Sequence, residues 1–72
     1  MASQTFTLDA PFLGHRETFT TWPDGTVEVV QMAFIGHPES RWLPVGHSRR
    51  LPIGEARQQW RKLRQAGWKP LT

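Results

Sequence analysis

The sequence predicts an α+β fold in which a three-stranded antiparallel sheet packs against one C-terminal helix. In the first half, segments rich in β-branched and aromatic residues flank a tight-turn sequence, and near the end apolar residues recur with the period of a helix. With 72 residues, the whole chain (1–72) is expected to form one domain. Cysteine is absent, so apolar packing that includes four tryptophans and four phenylalanines must supply the core.

The first predicted element is a β-hairpin over residues 15–35. Its strands, 15–22 and 26–35, are joined by Pro23-Asp24-Gly25, in which Gly25 supplies the positive φ angle that a tight reversal needs. In the second strand Val27 and Val29 share one face, whereas Val30, Met32 and Phe34 share the other. This change of phase predicts either a bulge near Val29 and Val30 or burial on both faces.

Two further strands are predicted beside the hairpin. Residues 41–46 favour a third strand, and Pro44 places it at an edge because proline cannot donate to a ladder of hydrogen bonds. Residues 4–8 alternate polar and apolar side chains and are a candidate fourth strand.

A helix is predicted from about residue 53 to residue 66. Pro52 suits its first position, and Gly67 suits the left-handed residue just after its end. Its apolar residues fall within one narrow arc, as expected for a helix that lies on a sheet. They are Ile53, Ala56, Trp60 and Leu63.

Charge is divided by position along the chain. Residues 1–39 carry one arginine and five carboxylates, whereas residues 40–72 carry eight basic side chains and one carboxylate. Such an asymmetry is informative about binding partners. The second half of the chain is therefore the candidate binding region for an anionic partner.

Five arginines form the candidate binding site, which we interpret as one basic ridge. Arg57, Arg61 and Arg64 lie along one flank of the apolar stripe of the helix, and Arg49 and Arg50 enter from the preceding loop. Guanidinium groups match phosphate bidentately, so the ridge predicts phosphate contacts. The alternative is a solvated helix face whose charges pair with the acidic hairpin. The sequence favours neither over the other.

The chain offers no chemical signature of a metal site or of catalysis. His15, His37 and His47 each follow a glycine, but their separations of 22 and 10 residues match no metal-ligand spacing. No nucleophile motif is present, and a domain of this size is expected to lack a ligand pocket of several hundred cubic ångströms. We therefore predict no metal, no cofactor and no enzymatic activity.

The sequence allows two arrangements at the sheet face that the helix does not cover. If the helix covers one face, uncovered apolar side chains on the other face form a partner or dimer surface. The candidates are Phe19, Val30, Met32, Phe34 and Trp42. The alternative is that the N-terminal segment, with Phe6 and Phe12, folds over it.

The spacing Ala56-x3-Trp60-x2-Leu63-x3-Gly67-Trp68 resembles the C-terminal signature of small, uncharacterised cyanobacterial proteins. The resemblance covers about the last third of the chain, and it implies a cytoplasmic cyanobacterial protein without an assigned activity.

The predicted topology is also similar to plant AP2-type DNA-binding domains and to the arm-binding domain of phage integrases. Those domains bind the major groove with side chains on the sheet. Here the hairpin carries Glu17, Asp24 and Glu28 beside Arg16, and this acidity would repel phosphate. This departure from those domains favours the arginine ridge, from Arg49 to Arg64, over the sheet as the binding surface.

Together these features predict a small non-enzymatic module that binds nucleic acid through the ridge, mainly at the phosphate backbone. The alternative is a protein-interaction or regulatory module that docks an acidic protein partner or self-associates through an exposed sheet face. The N-terminus has no signal-peptide pattern and no apolar run reaches membrane-spanning length, so a cytoplasmic location without membrane association is expected. A monomer or weak homodimer is expected.

Overall fold

The computed structural model describes residues 3–71 and shows an α+β fold, with an antiparallel sheet and one helix. The strands follow the order β4-β3-β2-β1-β5 across the sheet. The elements are β1 (Gln4–Asp9), β2 (His15–Thr21), β3 (Thr26–Ile35), β4 (Arg41–Pro52), α1 (Ile53–Gln65) and β5 (Lys69–Pro70).

The sheet has five strands in place of the predicted three or four. The candidate strand at residues 4–8 is present as β1, and β4 extends from the predicted 41–46 to Pro52. The additional strand, β5, pairs Pro70 with Leu8 and Lys69 with Asp9. A strand of two residues is too short to show a periodic pattern in the sequence. Strand β5 pairs with β1 because the chain reverses direction after α1.

An irregularity is present near Val29 and Val30, where one of the two alternatives placed it, but the extra residues belong to the neighbouring strand β4. The partner of Val29 is Arg49, whereas the partner of Gln31 is Val45, so β4 holds the extra residues. Gly46 lies there with a φ of 72°, in the left-handed region that glycine adopts without strain. Strand β3 itself stays in regular register with β2. As Pro44 predicted, β4 is an edge strand.

The core lies between α1 and one face of the sheet. Its fully buried apolar residues come from β1, β2, β3 and α1, and Trp60, Leu63 and Trp68 pack around them. Ile53 shares the predicted apolar stripe with Ala56 and Trp60 but is 43% exposed, because it lies at the start of the helix. The buried residues are Leu8, Phe19, Val27, Val29 and Ala56.

The end of α1 is fixed by backbone hydrogen bonds. Gly67 has a φ of 98°, and the Trp68 N–H donates to the Leu63 carbonyl at 3.0 Å. This is the pattern of a Schellman motif, and the return of the chain places the Trp68 side chain against the core. At the other end Pro52 is the residue before the helix, one position earlier than predicted.

The sheet face opposite α1 carries no covering element within residues 3–71. Phe6 is paired with Phe19 and therefore lies on the helix side, and the Phe12 ring contacts the Trp68 ring at 5.9 Å. The alternative in which Phe6 and Phe12 cover this face is therefore wrong. Phe19, one of the candidates for an uncovered side chain on this face, is buried on the helix side. In the described part of the chain no helix is long and apolar enough to cross a membrane.

Candidate nucleic-acid interface

Three of the five predicted arginines form a basic flank on α1, which we define as Arg57, Arg61 and Arg64. All three are exposed. Their spacing of four and three residues places them within an arc of about 60° on one side of the helix. At a rise of 1.5 Å per residue the basic flank is about 10 Å long. It is a short line of positive charge that faces solvent.

The charges of the basic flank are not neutralised by carboxylates of the described residues. The ion pairs within residues 3–71 join Arg16 to Asp9, Arg41 to Glu39 and Arg50 to Asp24, and none of them involves α1. Arg64 Nη1 donates to the Trp68 carbonyl oxygen at 3.2 Å, which holds one guanidinium in place without cancelling its charge. The interpretation that the helix arginines pair with the acidic hairpin is therefore wrong.

Arg50 does not belong to this surface, which corrects the predicted ridge. Arg49 and Arg50 are neighbours in the extended strand β4, and consecutive side chains of a strand lie on opposite faces. Arg50 lies on the face opposite α1, where its guanidinium is 4.8 Å from the centre of the Trp22 ring. Its Nη2 lies 3.6 Å from Asp24 Oδ2 and its Nε donates to Thr26 Oγ1 at 3.0 Å. Hydrogen bonds from the Thr26 side chain and backbone hold the pKa of Asp24 below its ordinary value.

Arg49 lies on the helix side of the sheet but on the other side of α1 from the basic flank. Its positive charge acts to lower the pKa of Glu17, so Arg49 lies near that carboxylate. Gln59 of α1 donates a hydrogen bond to the same carboxylate. Gln59 follows Arg57 by two residues and thus lies about 160° away around the helix. The predicted ridge of five arginines is therefore divided into three separate positions.

Glu17 is buried beneath α1, with only 2% of its surface exposed. Gln59 Nε2 donates to Glu17 Oε1 at 3.4 Å. Burial raises the pKa of Glu17, and the Gln59 hydrogen bond and the charge of Arg49 oppose that rise in part. The sequence suggested that Glu17 repels phosphate on the sheet, but the structure places it inside the molecule.

We expect the substitution Glu17→Gln to stabilise the fold at neutral pH and to lose this effect in acid. The raised pKa means that folding favours the protonated carboxyl group, so the native protein is penalised as pH rises through that pKa. Glutamine has a similar shape and no charge. Thermal unfolding of both proteins between pH 3 and pH 8 checks this. A Tm difference that stays constant across this range would contradict it.

An open groove lies beside the basic flank, between α1 and the hairpin end of the sheet. Its volume is about 370 Å³, and Arg57 lines it together with Phe6 and Trp60. This corrects the expectation that the domain holds no space of several hundred cubic ångströms, because the space is a surface groove and needs no deep interior. The alternation in residues 4–8 could have indicated the face of Phe6, but not that the helix shares that face.

A second apolar surface lies at the far end of the open sheet face. The Arg16 guanidinium is 4.0 Å from the centre of the Trp42 ring and bonds to Asp9 at 3.0 Å. The Phe34 ring lies 5.4 Å from that of Trp42. Leu13, in the loop that borders this surface, is 98% exposed.

Within residues 3–71 no three histidine or carboxylate side chains lie close enough together to hold a metal ion.

No protein-family model, curated protein or solved structure matches this chain. The resemblance to small cyanobacterial proteins therefore stays a prediction.

Proposed function

We propose that this protein is a small, non-enzymatic module that binds nucleic acid through the basic flank of α1. The observation that carries the proposal is that the guanidinium groups of Arg57, Arg61 and Arg64 share one side of the helix and that none pairs with a carboxylate of residues 3–71. Each guanidinium can donate two parallel hydrogen bonds to a phosphate group. Contacts of this kind recognise the backbone, so we expect little sequence specificity.

Salt dependence of binding tests this proposal. Three phosphate contacts should release counterions so that the logarithm of the affinity falls with the logarithm of the salt concentration, with a slope of about −2 for single strands and −2.7 for duplexes. Between 50 and 200 mM salt the affinity should then fall roughly twentyfold to fortyfold. Fluorescence anisotropy with labelled mixed-sequence oligonucleotides measures it. Absence of binding at 50 mM salt, or a slope near zero, would end the proposal.

The second candidate function is self-association through the open sheet face. It is favoured by the exposed apolar side chains at the far end of that face and in the adjoining loop, since such patches mark contact surfaces between proteins. Sedimentation velocity at several protein concentrations tests it, and a constant sedimentation coefficient excludes it. The exposed side chains are Phe34 on this face and Phe12 and Leu13 in the adjoining loop.

A further inference from the structure

The groove beside the basic flank is almost wholly apolar and partly aromatic. The Trp60 ring meets the Phe6 ring edge-on, with centroids 6.5 Å apart, and the Phe19 ring in the same manner at 5.1 Å. Phe6 is 48% exposed and Ile53 is 43% exposed, so part of the groove wall is apolar surface in contact with water. Hydration of apolar surface is unfavourable, and a ligand that covered it would therefore gain free energy. The volume of about 370 Å³ lies at the lower end of the range of small-molecule sites.

The charge around the groove is arranged on one side. Arg57 lines the groove itself, and Arg61 and Arg64 continue the same flank of α1, within about 40° of Arg57 around the helix. The site therefore offers an open apolar groove, partly walled by aromatic rings, with a row of cations along one edge. A matching ligand has a planar, largely apolar group joined to a chain of anions.

We infer that the groove holds one unpaired base of a single-stranded nucleic acid, whose neighbouring phosphates contact Arg57, Arg61 and Arg64. This inference rests on the proposed function and names the form of nucleic acid that is bound. Single-strand binding proteins combine a basic track with aromatic side chains that contact bases. In a duplex the bases are stacked and paired inside, so they cannot enter the groove without strand opening.

An abasic strand separates the contribution of the bases from that of the phosphates. The affinity of the protein is measured for a mixed-sequence single-stranded 12-mer, for the duplex of the same length and for a 12-mer in which all bases are replaced by abasic sites. The base-containing single strand should bind at least about tenfold more tightly than the abasic strand. It should also bind more tightly than the duplex.

Two threonines of β2 provide a matched pair of variants. Thr21 lines the groove, whereas Thr20 lies on the opposite sheet face. The side chain of Thr21 hydrogen-bonds to the backbone of Gln4 and that of Thr20 to the hydroxyl of Thr5, both at exposed positions. The substitution Thr21→Phe should fill the groove and lower the affinity for the normal single strand to that for the abasic strand. Binding of the abasic strand should be unchanged, and Thr20→Phe should alter neither value.

The outcomes distinguish this inference from the proposed function. Salt-dependent binding with equal affinities for the normal and abasic strands would overturn the base-binding groove and leave the basic flank intact. Failure to bind either strand would remove the proposed function itself. Poly-glutamate of equal charge that binds as tightly as the normal strand would show that the partner is an acidic polypeptide, which also overturns the inference. The comparison of the two strands uses the unaltered protein and does not depend on folding of a variant.

Discussion

Reversal of two charges on the basic flank, Arg57→Glu together with Arg61→Glu, should reduce nucleic-acid affinity by about 100-fold or more. A hydrogen bond to a charged group contributes about 1.5–3 kcal/mol, and the two new carboxylates would also repel the neighbouring phosphates. Both side chains are exposed, so we expect the fold to stay intact. Fluorescence anisotropy at 50 mM salt measures the affinity, and tryptophan fluorescence and circular dichroism check the fold.

A control with the same change in net charge separates local contacts from general attraction. The double substitution Arg41→Glu with Lys62→Glu also lowers the net charge by four units and also alters exposed residues. Lys62 follows Arg61 by one residue and lies about 100° further around α1, away from the basic flank. The control should lose much less affinity than the flank variant. Equal losses would mean that overall charge, and not this flank, governs binding.

Local patterns predicted the elements whose residues are neighbours in sequence. The helix at about 53–66 agrees with α1 at Ile53–Gln65, because a buried stripe and a terminal glycine lie within a few turns of one another. The hairpin follows for the same reason, since Gly25 has a φ of 84° between two strands of regular pattern. Strand β5 has no such pattern, and it exists only through its pairing with β1.

The candidate site was only partly predictable for a physical reason. Helical period placed Arg57, Arg61 and Arg64 together, because positions on one helix are fixed relative to one another. The sequence places Arg49 and Arg50 in a loop, because the predicted third strand ends at residue 46. In the structure β4 continues past the irregularity at Gly46. Once β4 reaches Pro52, alternation separates these two arginines across the sheet.

The groove depends on distant parts of the chain. Phe6 and Trp60 are 54 positions apart in the sequence, and their rings meet because β1 and α1 share a sheet face. Composition indicated a large aromatic stock for so short a chain, but it gave no indication of which rings stay accessible. The alternating pattern of β1 determines which residues share a face, and the path of α1 determines which face is covered.

The substitution Phe19→Ala should cost about 3–5 kcal/mol of unfolding free energy, the range found for large-to-small changes in cores. Phe19 is 4% exposed and its ring meets Trp60 at the centre of the cluster between the sheet and α1. A domain of this size rarely has more than about 3–5 kcal/mol from a single hydrophobic core. We therefore expect the variant to be largely unfolded at 25 °C, as measured by circular dichroism and urea titration.

Phe34→Ala is the matched control, because it removes the same ring from the opposite, open face. Phe34 is 43% exposed and its ring contacts Trp42 at 5.4 Å. Its loss should cost about 1 kcal/mol, in keeping with a partly buried aromatic pair. If the two substitutions cost the same, the stability of the domain would not come mainly from the α1 side of the sheet. A concentration-dependent cost for Phe34→Ala alone would instead show that a second copy of the chain covers the open face and contributes to its stability.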